Sequence, residues 1–161
     1  MGLDITAYRK LTKVEGAKIV DYEPCDADGE PLDFWTHLYV LQPEGFEGRE
    51  APFEIGGVYA AEETHEFRAG SHGSHLSSRH DYAESAWRAD SGPLWGWINF
   101  PDCEGVIGSD VAKKIYAEMQ KMEITPENFE SDDQYRNFMD KWGEWLIAFE
   151  MAADDGAIRF H

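Results

Sequence analysis

Apolar and polar side chains alternate over residues 3–8, Leu3-Asp4-Ile5-Thr6-Ala7-Tyr8. That period predicts a strand with one buried face. Residues 18–22 read as a second short strand. Residues 35–41, rich in aromatic and β-branched side chains, read as a central strand. Residues 58–61 and 63–67 are strand-like as well. Between them, residues 24–31 form a loop around an Asp28-Gly29 turn. Residues 42–57, dense in Pro and Gly, form a long connection anchored by Phe46 and Phe53. A short helix is predicted near 81–89, stopped by Ser91-Gly92-Pro93. An aromatic-rich buried strand over 94–100 then ends at Pro101, and residues 102–108 read as a tight acidic loop.

The period changes in the last third. Val111, Ile115, Met119 and Met122 recur at helical spacing, which predicts a helix over about 109–122, capped by Ser109 or Asp110. Thr125-Pro126-Glu127 interrupts it. Ser131 and Gln134 have the spacing of a capping box. They open a helix over about 131–155, whose inner face carries Tyr135, Phe138, Met139, Trp142, Trp145, Leu146, Phe149 and Ala152. Asp132 and Asp133 suit its positive start, and Gly156 is placed to end it. Residues 157–161 read as a closing strand. Strands followed by helices predict an α+β fold: a mainly antiparallel sheet packed against two C-terminal helices. The length predicts a single domain, 1–161.

Composition supports a packed core, since 42% of the 161 residues are hydrophobic and 14% aromatic. No apolar run is long enough to predict a transmembrane helix. The first residues lack the basic and apolar regions of a secretory signal. Cys25 and Cys103 form no CxxC pair, as expected of free thiols in a reducing cytoplasm. Net charge adds a constraint: 32 acids against 14 bases give −18. Residues 14–54 hold 11 acids and 2 bases, and residues 102–156 hold 14 and 5. Such a chain repels nucleic-acid phosphates and anionic membranes, so neither is an expected partner.

Chemistry concentrates in residues 65–80. His72, His75 and His80, with His65 before them, supply metal-ligating groups, and zinc is the metal such a set would hold. Their spacing matches no specific ligand pattern. Arg68 and Arg79 bracket Gly70 and Ser71, whose backbone could present N–H groups to a small anion. The stretch lacks the lysine and glycine spacing of a P-loop. Cys103 lies between Asp102 and Glu104, whose charge suppresses a thiolate nucleophile.

Four blocks resemble a family of small proteins from tailed phages and bacterial prophages. They are residues 2–8 (Gly-Leu-Asp-Ile-Thr-Ala-Tyr), 67–71 (Phe-Arg-Ala-Gly-Ser), 98–108 (Ile-Asn-Phe-Pro-Asp-Cys-Glu-Gly-Val-Ile-Gly) and Phe160-His161. The resemblance implies no activity. Relatives carry aromatic residues near His72 and His75, which weighs against a histidine ligand set. Arg68, Gly70, Ser71, Asn99, Asp102 and Glu104 are then the expected ligand-binding residues. The expected role is binding rather than catalysis: an acidic cytoplasmic protein of phage origin that inhibits a host protein, such as a defence component, through its basic surface. The alternative is a binder of a small anion, a nucleotide or sugar phosphate, at the Arg68 loop. A metal-dependent hydrolase built on the histidines 65–80 is the third reading.

Overall fold

The computed structural model describes residues 3–40, 53–69, Leu94, Trp97 and 105–161. The fold is α+β, with antiparallel sheets and two C-terminal helices. The main sheet has the order β7-β1-β9-β8, built from β1 (Leu3–Arg9), β7 (Glu63–Ala69), β8 (Gly105–Gly108) and β9 (Ala157–Phe160). Every pairing in it is antiparallel. β9 is the closing strand that the sequence predicts, and it is not an edge. It inserts between β1 and β8, so the two ends of the described chain lie side by side.

The helices α1 (Ser109–Gln120) and α2 (Asp132–Ala153) cover one face of this sheet. Ile5 and Ala7 of β1, Ile107 of β8, and Ile158 and Phe160 of β9 meet Ile115, Met119, Phe138, Trp142, Trp145 and Phe149 there. Trp145 stacks near-parallel on Phe160 at 5.9 Å and meets Phe67 edge-on at 5.0 Å. α2 begins where its sequence predicts, with Ser131 accepting the Gln134 N–H, but the return arm of the expected capping box differs: Gln134 Oε1 accepts from the Glu130 N–H at 3.3 Å. α1 does not. Its N-cap is Gly108, no side chain caps it, and Ser109 is its buried first residue.

The opposite face of the main sheet is also covered. A three-stranded sheet of order β2-β6-β5 lies there, from β2 (Thr12–Lys13), β5 (His37–Tyr39) and β6 (Val58–Ala60). Leu38, Val40, Phe53 and Tyr59 form a second core with Tyr8, Val106 and Ala157. This corrects the reading of β1 as half-buried. Ile5, Thr6, Ala7 and Tyr8 are all fully buried, because both faces of the strand have a layer upon them. Among the described residues of the stretch 35–41, three form β5, at the edge of the smaller sheet rather than at a centre. Residues 105–108, expected in a loop, pair with β9 as strand β8. β3 (Lys18–Val20) and β4 (Glu23–Cys25) form a separate hairpin, so β4 runs two residues into the expected loop 24–31.

Of residues 94–100, Leu94 and Trp97 are described. Both are buried, and the Trp97 N–H donates to the Leu94 carbonyl at 3.0 Å. Leu94 lies in a turn and Trp97 is helical, so neither belongs to the extended strand expected there. The expected short helix near 81–89 lies outside the described residues.

The elbow between α2 and β9 also differs from expectation. Asp155, not Gly156, carries the left-handed backbone, with φ of 49°. Gly156 instead sits against β1, where any Cβ would overlap the Tyr8 carbonyl. Lys10 and Leu11 donate to the Asp154 and Asp155 carbonyls at 2.9 and 2.8 Å, tying the elbow to the end of β1.

Candidate functional site

The second layer does not reach the whole outer face of the main sheet. Pairing register places Arg68, Asp4 and His161 in one row across β7, β1 and β9, and Glu66, Thr6 and Arg159 in the next. The row at Thr64, Tyr8 and Ala157 lies beneath the small sheet. Where that cover stops, a groove of about 320 Å³ opens, bordered by Asp4, Thr6, Trp35, Glu66, Arg68 and His161.

Arg68, the expected anion contact, stands at this groove. Its Nε lies 3.3 Å from Asp4 Oδ1, and both side chains are exposed. Strand pairing alone sets that contact, since Asp4 and Arg68 are register partners. An exposed pair of this kind adds little stability, and it leaves the guanidinium partly neutralised. Gly70, Ser71, His72, His75, His80, Asn99, Asp102 and Glu104 lie outside the described residues. His65 is described. It faces the helices, and its Nε2 lies 2.6 Å from Glu144 of α2. Lys141, one turn earlier, donates to the Arg68 carbonyl at 2.9 Å, anchoring the end of β7.

The groove also brings in groups that sequence reasoning missed. His161 Nε2 lies 2.9 Å from Thr6 Oγ1. Burial, and then the charge of Arg159, push the His161 pKa below its ordinary value, while Asp4 partly opposes this. Arg159 itself is buried. Phe34 lies on its guanidinium at 3.9 Å, and the Phe34 carbonyl accepts from Nη2 at 3.1 Å. The strand alternation put Arg159 opposite Ile158 and Phe160. Only the second layer made that opposite side an interior.

A second surface stands apart. No other strand or helix packs broadly on the β3–β4 hairpin among the described residues. Residues 15–33 carry seven acids and one lysine. Glu15, Asp21, Glu23, Asp28, Glu30 and Asp33 are exposed. Asp26 Oδ1 accepts the N–H groups of Asp28 and Glu30, both at 2.9 Å, and so fixes the loop. Val20 pairs with Glu23, which leaves Asp21-Tyr22 as a two-residue turn. Both have positive φ, 51° and 69°. Hairpin turns of that kind favour Asn-Gly because a Cβ strains this backbone. Here a tyrosine occupies the second place, 77% exposed.

Neither a family model, a curated protein nor a solved structure matches this chain. Among the described residues, no helix is long and apolar enough to cross a membrane.

Proposed function

We propose that this chain is a phage or prophage accessory protein that acts by binding, and that it inhibits a host protein by occupying a basic surface. The supporting observation is the projecting acidic hairpin with Tyr22 at its strained tip. Strain of this kind persists where the surroundings impose it, and it clusters at sites of function. Tyrosine is among the residues that anchor protein interfaces, where it combines apolar area with a hydroxyl. The acids around it would steer a basic partner and set its orientation. The net charge of −18 extends the same field over the rest of the molecule.

The variant Tyr22→Gly tests this reading, because function and stability then move in opposite directions. Glycine adopts positive φ without penalty, so the hairpin should be relieved by about 1 kcal/mol. The variant protein should melt no lower than the original. Pull-down from bacterial lysate at low salt should return a partner with a basic patch. Capture should weaken as salt is added, and Tyr22→Gly should reduce it at least about tenfold, as for loss of an interface anchor. No partner at low salt, or equal capture by Tyr22→Gly, would overturn the proposal.

A further inference from the structure

The groove on the outer face of the main sheet is lined by two carboxylates and one cation, Arg68. Asp4 pairs with Arg68 and Thr6 with Glu66, so Asp4 and Glu66 are diagonal neighbours on one sheet face. Diagonal neighbours lie about 7–8 Å apart. Arg68 engages Asp4 alone, through Nε at 3.3 Å, and both side chains are exposed. Among the described residues no cation forms an ion pair with Glu66. The buried Arg159 acts on Glu66 only through its field, with its Nη2 turned to the Phe34 carbonyl.

The groove also has an aromatic wall. Trp35 is 49% exposed despite its size. It is nonetheless held in place. Its backbone N–H donates to Asp33 Oδ1 at 2.9 Å, and its ring meets Phe34 edge-on at 5.0 Å and His161 at 5.8 Å. His161 adds no competing charge at neutral pH, because burial and Arg159 depress its pKa. An indole fixed beside carboxylates attracts cations. A guanidinium suits this arrangement better than an ammonium. Its planar fork can reach two carboxylates at once and stack on the ring, whereas an ammonium is a point charge. A groove of about 320 Å³ lies at the small end of ligand sites and fits a single side chain.

We propose that this groove receives an arginine side chain of a partner protein, its guanidinium set between Asp4 and Glu66 and against Trp35. Arg68 is then a built-in competitor, which the incoming guanidinium displaces from Asp4. The site is separate from the acidic hairpin. The inference rests on the binding role proposed above for the existence of a partner, whereas the groove itself is tested without one.

The probe is the tripeptide acetyl-Gly-Arg-Gly-amide, titrated at constant ionic strength into the full chain labelled with ¹⁵N, up to about 50 mM because one side chain binds weakly. The backbone amide signals of Thr6 and His161 should shift saturably. The same peptide with citrulline, which keeps the shape and loses the charge, should give no saturable shift, and the lysine peptide should bind more weakly. Glu66→Gln should weaken binding about threefold, and Trp35→Leu by a similar factor of about three. Arg68→Ala should tighten it about two- to fivefold, the worth of an exposed ion pair. Arg136→Ala makes the same change in net charge at an exposed helix position and should leave the Kd unchanged, as should Tyr22→Gly at the hairpin. An absent shift, an equal shift with citrulline, tighter binding of lysine, or weaker binding by Arg68→Ala would each overturn the proposal. Equal gains from Arg68→Ala and Arg136→Ala would do so too, by reducing the effect to net charge. Saturable binding of the tripeptide together with an empty lysate pull-down would sustain the groove and count against the hairpin reading alone.

Discussion

Gly156→Ala adds one methyl group at a place where nothing can yield. On the existing backbone, the new carbon would overlap the Tyr8 carbonyl oxygen and lie 2.8 Å from the Met151 carbonyl oxygen. Both obstacles are main chain, so no change of rotamer removes them. The elbow must move away from β1, and that movement strains the bonds from Lys10 and Leu11 to the Asp154 and Asp155 carbonyls. Forcing an extra carbon into a packed site costs about 1–3 kcal/mol, and each backbone hydrogen bond lost adds about 1 kcal/mol. The sum is about 3–5 kcal/mol, which for a domain of this size lowers the melting temperature by roughly 10 °C. The neighbouring Asp155→Gly provides the control. Its φ of 49° is strained for any side chain, and glycine should relieve about 1 kcal/mol there. The Lys113 contact it gives up is long, at 3.9 Å, and exposed. Thermal unfolding followed by circular dichroism should thus show adjacent substitutions of opposite sign. A Gly156→Ala melting temperature within about 2 °C of the original would refute the packing of this elbow.

Two further expectations concern the cap of α2 and the titration of the groove. Ser131→Ala removes the acceptor of the Gln134 N–H and should cost about 1 kcal/mol. Ser131→Asp should retain most of it, and equal losses in chemical denaturation would exclude a capping role. His161 has a folded-state pKa depressed by burial and by Arg159. The unfolded chain therefore takes up its proton at higher pH than the folded one. The resulting stability is complete above the unfolded value of about 6.5 and is lost as pH falls from there towards the folded value. His161→Gln should flatten the fall in urea midpoint between about pH 7.5 and 5.5. An unchanged slope would show that His161 titrates alike in both states.

The sequence by itself determined what depends on near neighbours. The spacing of Phe138, Trp142, Trp145 and Phe149 gave α2 its inner face, because a helix repeats every 3.6 residues whatever it packs on. Ser131 fixed its start, and the alternation from Leu3 to Tyr8 fixed a strand. Arg68 was legible as a charged group near a candidate site, and its pairing with an acid followed from nothing more than a register. The tertiary structure decided which strands lie side by side and which faces are covered. β9 enters between β1 and β8 from the far end of the chain, a pairing no local period encodes. That insertion sets Arg159 beside Thr6, and the small sheet with Phe34 then seals it from water. Alternation says only that Arg159 and Ile158 point opposite ways. Whether the opposite side is solvent or interior depends on a second layer contributed by residues more than a hundred positions earlier. The same layer explains Thr6, polar yet fully buried, and it leaves the groove where its cover ends.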